Sequence, residues 1–210
     1  MTRILAVDTT GDVGSIALIE DGVVVEETRL DSANGFAHVL FPAIEDLLAR
    51  HSLTIREIDV FAGASGPGSF TGVRVGLTAV KGLAEATGRK AIAISNLQAI
   101  ASFGTRPLRA VAIDARRGEI FGAVYDDQLR AVCGEVVTAF DKWIATLPSD
   151  VEFLTTGYEE EFPGPVIRVP GMLAGSIGRI AAERLGDAAD PGSIDANYVR
   201  RSDAELYWKE

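Results

Sequence analysis

A glycine-rich segment, ASGPGSFTGVRVG (64–76), carries residues that could hold a phosphate group. It lies between an apolar run typical of a strand and a run typical of a helix, so its N–H groups would stand at a helix N-terminus, where anions are stabilised. A hydroxyl could cap this helix and an arginine could add positive charge. With an aspartate that ends an upstream strand, the candidate anion or nucleotide loop comprises Asp8, Gly66, Gly68, Ser69, Thr71 and Arg74.

The same segment can also be explained without a ligand. Gly66 and Gly68 give backbone freedom, and Pro67 fixes the turn between them. The segment lacks the Lys-Ser or Lys-Thr pair of the Walker phosphate loop, and it does not follow the glycine spacing of the dinucleotide fingerprint. A structural turn that leads into a helix is therefore the favoured interpretation, with nucleotide binding as the alternative.

Other catalytic groups are sparse in the sequence. The two histidines, His38 and His51, have no ligand at helical spacing, and Cys133 is the single cysteine. Zinc and iron sites need several such ligands close together. Ser69 is not in a nucleophile elbow, which requires glycine two places before and after the serine. We therefore predict no catalytic residue, no metal site and no peptidase activity.

Composition limits the class of protein. The chain has 210 residues, of which 47% are hydrophobic, so it can bury a core in one large or two small domains. Its formal net charge of −10 opposes independent binding to nucleic acid. Short apolar runs predict no membrane span, and the start MTRILAVD lacks a secretory pattern, so we expect a cytoplasmic location. Arginines pair at Arg106/Arg109, Arg116/Arg117 and Arg200/Arg201, which is typical of solvated surface.

Two stretches, ILAVDTTGDVGSIALIEDG and AVAIDARRGEIFGAVYDDQ, share one pattern. Each has a strand that ends in aspartate, a turn with glycine, a second strand and an acidic turn. A duplicated hairpin is the preferred interpretation, with Asp8 and Asp114 in corresponding places, and coincidence is the alternative. Each aspartate could hold magnesium-phosphate or cap a turn. A duplicated meander followed by helix and strand predicts an α/β, actin/Hsp70/sugar-kinase-like fold with an N-terminal domain (1–105) and a reduced C-terminal domain (106–210), whose last segment could pack back on the first.

Two predicted helices, 36–50 and 69–87, are apolar over wide arcs. Gly72 and Gly76 each cost roughly 0.5–1 kcal/mol relative to alanine inside a helix, so their stripe predicts the close approach of another helix. One face would pack on the sheet and another on a partner protein, whereas a wholly internal core is the alternative. The predicted partner-binding residues are Phe36, Leu40, Ile44, Leu47, Phe70, Gly72, Val73, Gly76 and Val80.

The sequence resembles the bacterial TsaB (YeaZ) family in the motifs GPGSFTGVRVG, ILAVDTT and AIDARRGEIF, and more weakly in ANYVRR (196–201). The resemblance implies an actin-like fold related to the transferase TsaD but without its metal site. It implies a non-catalytic subunit that dimerises with TsaD, largely through its first two helices, and with the ATPase TsaE supports threonylcarbamoyl transfer to N6 of adenosine 37 of ANN-decoding tRNA. ATP, ADP and metal would belong to the partner subunits, and tRNA would be met only through the complex. A homodimer of the isolated chain stays open.

One departure affects the rim of the expected partner surface. Family members often open the first helix with His-Ser, and this chain has Phe36-Ala37 there. The alternative function is a small actin-fold ATPase or phosphotransferase that uses Asp8 and the glycine-rich loop. Tight magnesium-dependent binding of ATP by the isolated chain would favour it.

Overall fold

The computed structural model describes residues 1–31, 35–158 and 161–200. The chain begins with an antiparallel meander of strands β1 (Arg3–Asp8), β2 (Gly14–Glu20) and β3 (Val23–Leu30). The turn between β2 and β3 is formed by Asp21 and Gly22, with φ of 49° and 82°, as the Asp-Gly pair predicts.

Helices and parallel strands follow the meander. They are α1 (Leu40–Arg50), β4 (Val60–Gly66), α2 (Phe70–Thr87), β5 (Lys90–Ser95) and α3 (Asn96–Ala101). The first sheet has the order β3-β2-β1-β4-β5, in which β4 is parallel to both β1 and β5. Because β3 also runs parallel to β1, α1 and α2 both begin at the edge of the sheet where β1 ends.

The second half repeats this plan. Its elements are β6 (Leu108–Arg116), β7 (Glu119–Asp126), β8 (Ala131–Ala139), α4 (Phe140–Ile144), β9 (Glu152–Thr155) and β10 (Val166–Arg168). The order β8-β7-β6-β9-β10 matches that of the first sheet strand for strand. Between β9 and β10 the described residues form no helix, where the first half has α2. The fold is thus the duplicated actin/Hsp70/sugar-kinase-like α/β fold with a reduced second copy.

The chain divides into two compact units. The first comprises Met1–Ala99 and Pro170–Ala196, and the second comprises Ile100–Val169 with, of the described residues, 197–200. Helix α5 (Ala174–Glu183) lies in the range expected to form the C-terminal domain (106–210), but it belongs to the first unit. Gly178 packs against Ala6 and Ile19 on one face of the first sheet, where a side chain would collide with Ile19.

Each unit has its own core. In the first unit, α1 and α2 cover the sheet face that carries Leu5, Val7 and Leu18, opposite the face that α5 covers. Burial on both faces explains why the central residues of β1 (4–7) and β2 (16–19) are all apolar. In the second unit, α4 places Trp143 against Phe153 and Phe162. Among the described residues, no helix has the length and hydropathy that crossing a membrane requires.

Candidate functional site

The carboxylate of Asp8 lies buried at the end of β1. Its Oδ1 accepts hydrogen bonds from Thr10 N at 2.9 Å, from Thr10 Oγ1 at 2.7 Å and from Asn96 Nδ2 at 3.4 Å. Burial raises the pKa of Asp8, and the bonds from Thr10 and Asn96 oppose that shift. The site therefore favours protonation of this carboxylate more than water does.

Thr10 and Asn96 also fasten the glycine-rich loop to the end of β1. Gly66 N donates to Asn96 Oδ1 at 2.9 Å, Ser69 N donates to Thr10 O at 2.7 Å, and Asn96 Nδ2 donates to Thr10 Oγ1 at 2.6 Å. A Cβ on Gly68 would lie 2.7 Å from Thr10 O, so only glycine fits there without a shift. Two of the N–H groups that a phosphate could use, those of Gly66 and Ser69, are donors within the protein.

Of the two hydroxyls that could cap the second helix, those of Ser69 and Thr71, it is Ser69 that caps α2. Its Oγ accepts a hydrogen bond from Gly72 N at 3.3 Å. Thr71 is exposed in the first turn, and the guanidinium of Arg74 stacks 3.8 Å above the ring of Phe70. The candidate loop thus has two parts: a turn that is hydrogen-bonded to Thr10 and Asn96, and the exposed first turn of α2. Nucleotide binding by this loop stays a prediction.

Two members of this polar cluster are not predicted from the sequence, namely Thr10 and Asn96. Thr10 lies two residues beyond Asp8, a spacing at which an aspartate commonly bonds the backbone. Asn96 follows β5 and begins α3, where asparagine is a common first residue. Neither signal predicts that Thr10 and Asn96 bond each other, because the two residues are 86 positions apart in the sequence.

The glycine stripe of α2 meets the end of β1, so the expected approach of a second helix is wrong. A side chain at Gly72 would collide with the carbonyl of Thr9, and a Cβ at Gly76 would lie 2.6 Å from Thr9 Oγ1. Thr9 Oγ1 donates to Gly72 O at 2.7 Å. The two glycines are needed for this helix-to-strand contact.

Most of the predicted partner-binding side chains are internal. Six of them belong to the core of the first unit, which corrects their assignment to a surface: Phe36, Leu40, Ile44, Leu47, Val73 and Val80. Phe70 is 49% exposed, and Phe41, from the same apolar arc of the first helix, is 51% exposed. We call Phe41, Phe70 and Arg74 the outer face of α1 and α2; partner binding there stays a prediction.

The first helix is shorter than the sequence suggests, because 36–38 form a separate 3₁₀ turn before α1. Phe36 is buried there, and a Cβ on Gly14 would come within 2.8 Å of its ring. Ala37 is exposed. At the position of the expected His-Ser pair, the chain therefore has a core aromatic residue and a small exposed one.

The remaining candidate groups are apart from the loop. His51 Nε2 lies 2.8 Å from Glu26 Oε2, and hydrogen bonds from Arg50 and His51 lower the pKa of Glu26 to about 2. Asp114 is exposed, and its Oδ1 accepts a bond from Arg116 N at 2.7 Å, so it caps a turn. Within the described ranges, no group of three His, Cys, Asp or Glu side chains is placed to hold a metal ion.

Comparison with known proteins identifies the family. A family model described as tRNA N6-adenosine threonylcarbamoyltransferase (TsaD) matches residues 24–178. The tRNA threonylcarbamoyladenosine biosynthesis protein TsaB of Escherichia coli K12 is 37% identical over 127 residues, which are 59% of this chain and 54% of that protein. TsaB of Bacillus subtilis 168 is 28% identical, with 99% of this chain and 98% of that protein covered.

A solved structure agrees over nearly the whole chain. A Pseudomonas aeruginosa protein described as similar to the peptidase YeaZ superposes with a TM-score of 0.82 at 26% identity, covering 95% of this chain and all of that one. The chain thus spans about half the length of its E. coli relative and nearly the full length of the B. subtilis and P. aeruginosa proteins. The chain belongs to the TsaB (YeaZ) family, within the group that the TsaD family model describes.

Proposed function

We propose that this chain is a non-catalytic subunit in the synthesis of threonylcarbamoyladenosine on tRNA. It pairs directly with a TsaD-type transferase and, with TsaE, supports transfer of the threonylcarbamoyl group to N6 of adenosine 37 in ANN-decoding tRNA. Support comes from the curated relatives, which are named for the biosynthesis of this modified nucleoside.

The observation that carries the pairing is the outer face of α1 and α2. Phe41 is the second residue of α1 and Phe70 the first residue of α2, and both helices begin at the same edge of the first sheet. Large aromatic residues and arginine dominate the binding energy of protein interfaces. Two half-exposed phenylalanines and an arginine stacked on one of them are the kind of side chains that a partner would cover.

The polar cluster supports the non-catalytic part of the proposal. Asp8, Thr10, Asn96 and the glycine-rich loop satisfy one another, and Ser69 caps α2 rather than standing beside a general base. We expect ATP or ADP, and the metal, on the partner subunits. In this proposal the loop positions the first turn of α2.

The test begins with the affinity for the TsaD homologue of the same organism. Replacing Phe41 and Phe70 together with alanine removes exposed apolar surface and leaves the core untouched, so the fold should be retained. We expect Kd to rise by about tenfold or more, which corresponds to about 1.4 kcal/mol or more. Isothermal titration calorimetry measures it.

Val132→Ala on β8 is the matched control, because Val132 is also 49% exposed but lies in the other unit. It should leave Kd unchanged. Binding of the double alanine variant within twofold of the unmodified chain would contradict the pairing through this face. If transfer of threonylcarbamoyl to tRNA proceeds equally without the chain, and the isolated chain hydrolyses ATP, the alternative of a small actin-fold ATPase replaces the proposal.

A further inference from the structure

The turn between β6 and β7 has an unusual backbone for its sequence. Arg116, Arg117 and Gly118 have φ of 64°, 60° and 74°, so two arginines occupy the left-handed region. This conformation costs residues other than glycine roughly 1–2 kcal/mol each, and hairpin turns normally place Asn, Asp or Gly there. The β2–β3 turn of the same chain uses Asp21-Gly22. Residues held in such conformations often mark functional sites.

Hydrogen bonds and ion pairs from both sides hold this turn in place. Arg116 N donates to Asp114 Oδ1 at 2.7 Å, and Arg116 Nη1 lies 3.2 Å from Asp114 Oδ2. From the C-terminal part of the chain, Arg200 Nη1 donates to the carbonyl of Ala115 at 2.9 Å, and its Nη2 pairs with Glu119. Residues from before, within and after the hairpin therefore determine its shape.

The held turn presents two guanidinium groups to solvent. Arg116, Arg117 and Gly118 are all exposed, and the side chain of Arg116 is 74% exposed even though it pairs with Asp114. Guanidinium groups bind phosphate oxygens through two parallel N–H bonds. The exposed turn has two arginines side by side on a chain with a net charge of −10, which suits a phosphate chain that passes over the surface better than an enclosed nucleotide.

We propose that the β6–β7 turn contacts the phosphate backbone of RNA, through Arg116 and Arg117, with Arg200 as a positioning residue. The inference rests on the proposed function, because the RNA concerned is the tRNA that the assembled complex modifies. The nearby carboxylates of Asp114 and Glu119 limit the local positive charge, so the turn adds to the binding of tRNA that the complex already holds.

The experiment measures transfer of threonylcarbamoyl to tRNA by the complete complex, with Arg116 and Arg117 both replaced by glutamine. We expect KM for tRNA to rise about threefold or more while kcat is retained. The slope of log KM against log salt concentration should fall by about one for each phosphate group that an arginine no longer neutralises. Arg117→Gly relieves the left-handed backbone, so it should keep or raise Tm and still raise KM, which a purely structural arginine would not do.

Arg130→Gln is the matched control. Arg130 lies just after the opposite end of β7, its side chain is 75% exposed, and it pairs with Asp126 at 2.8 Å. Leu129 before it has φ of 58°, but Arg130 itself lies outside the left-handed region, so it offers an exposed, carboxylate-paired arginine without the backbone conformation of Arg116. Two results would overturn the inference and leave the proposed function standing. One is an unchanged KM and salt slope in the double glutamine variant. The other is a variant that fails to assemble into the complex instead of raising KM. If the unmodified chain does not stimulate transfer, the proposed function fails and the inference fails with it.

Discussion

Asp8 is the residue whose chemistry depends most on its surroundings. Burial raises its pKa above the ordinary 3.8, so the folded protein retains a proton that the unfolded chain loses. Between these two pKa values the folded state binds more protons, and the free energy of unfolding must therefore fall as pH rises.

Asp8→Asn keeps an Oδ1 acceptor for the bonds from Thr10 and Asn96 and removes the buried negative charge. In the unmodified protein, the free energy of unfolding should decline as pH rises above 3.8, because Asp8 must lose its proton. The asparagine variant should lack this decline, so its stability relative to the unmodified protein should increase with pH. Urea unfolding of both proteins from acidic to neutral pH measures this.

Asp8→Ala serves as the control, because it leaves both donors of Thr10 without their acceptor. This should lower the free energy of unfolding by about 1–3 kcal/mol. Parallel pH profiles for the asparagine variant and the unmodified chain would contradict the raised pKa.

At this scale the sequence predicts residues that act on their own neighbours. Ser69 caps α2 by accepting a hydrogen bond from Gly72 N, three residues further along, and Gly88, with φ of 65°, ends that helix. The sequence does not predict that Thr10 and Asn96 hold the loop, or that Thr9 requires Gly72. Those contacts join residues on different strands and helices, and only the sheet order brings them together.

Helix α5 shows how a single element is fixed from a distance. Ser15 Oγ accepts hydrogen bonds from Leu173 N at 3.2 Å and Ala174 N at 3.0 Å, and Glu27 Oε1 accepts one from Gly175 N at 3.0 Å. The first N–H groups of a helix have no partner inside it. Here β2 and β3 supply the acceptors, which anchors the helix to the first sheet.

Ser15→Ala removes the acceptor of two buried N–H groups. We expect the free energy of unfolding to fall by about 1–2 kcal/mol. Amide exchange should accelerate at residues 173–175 before it does so in the central strands. Hydrogen exchange followed by mass spectrometry distinguishes these segments.

Ser193→Ala is the comparison variant, since the hydroxyl of Ser193 bonds Asp190 O within an exposed turn. Its effect should stay within about 0.5 kcal/mol. Equal effects of the two serine substitutions, or unchanged exchange at residues 173–175, would show that the cap does not hold α5.

Among the elements, periodicity predicts where a helix lies better than what it packs on. The sequence predicts the second helix at 69–87, and this helix spans Phe70–Thr87. The apolar arc of α1 does not show which of its residues face the sheet, so buried Leu40 and exposed Phe41 are not distinguished by it. The unit to which α5 belongs depends on acceptors 148 to 159 positions away along the chain.

For the whole molecule, net charge makes a prediction that no single residue makes. A protein with a formal charge of −10 repels an RNA backbone at long range, and two exposed arginines in one turn do not reverse that field. We therefore expect the isolated chain to bind tRNA weakly, with Kd above about 100 μM near physiological salt. Fluorescence anisotropy with labelled tRNA at about 0.15 M salt measures this.

The complex with the TsaD homologue is compared with the isolated chain, because the tRNA affinity of the complex should come from both proteins. Adding the chain to the homologue should strengthen tRNA binding, and adding the variant with glutamine at Arg116 and Arg117 should strengthen it less. Binding of tRNA by the isolated chain with Kd below about 10 μM and a steep dependence on salt would mean that the basic tip outweighs the acidic remainder. The chain would then recruit tRNA by itself, and its role in the complex would have to be assigned anew.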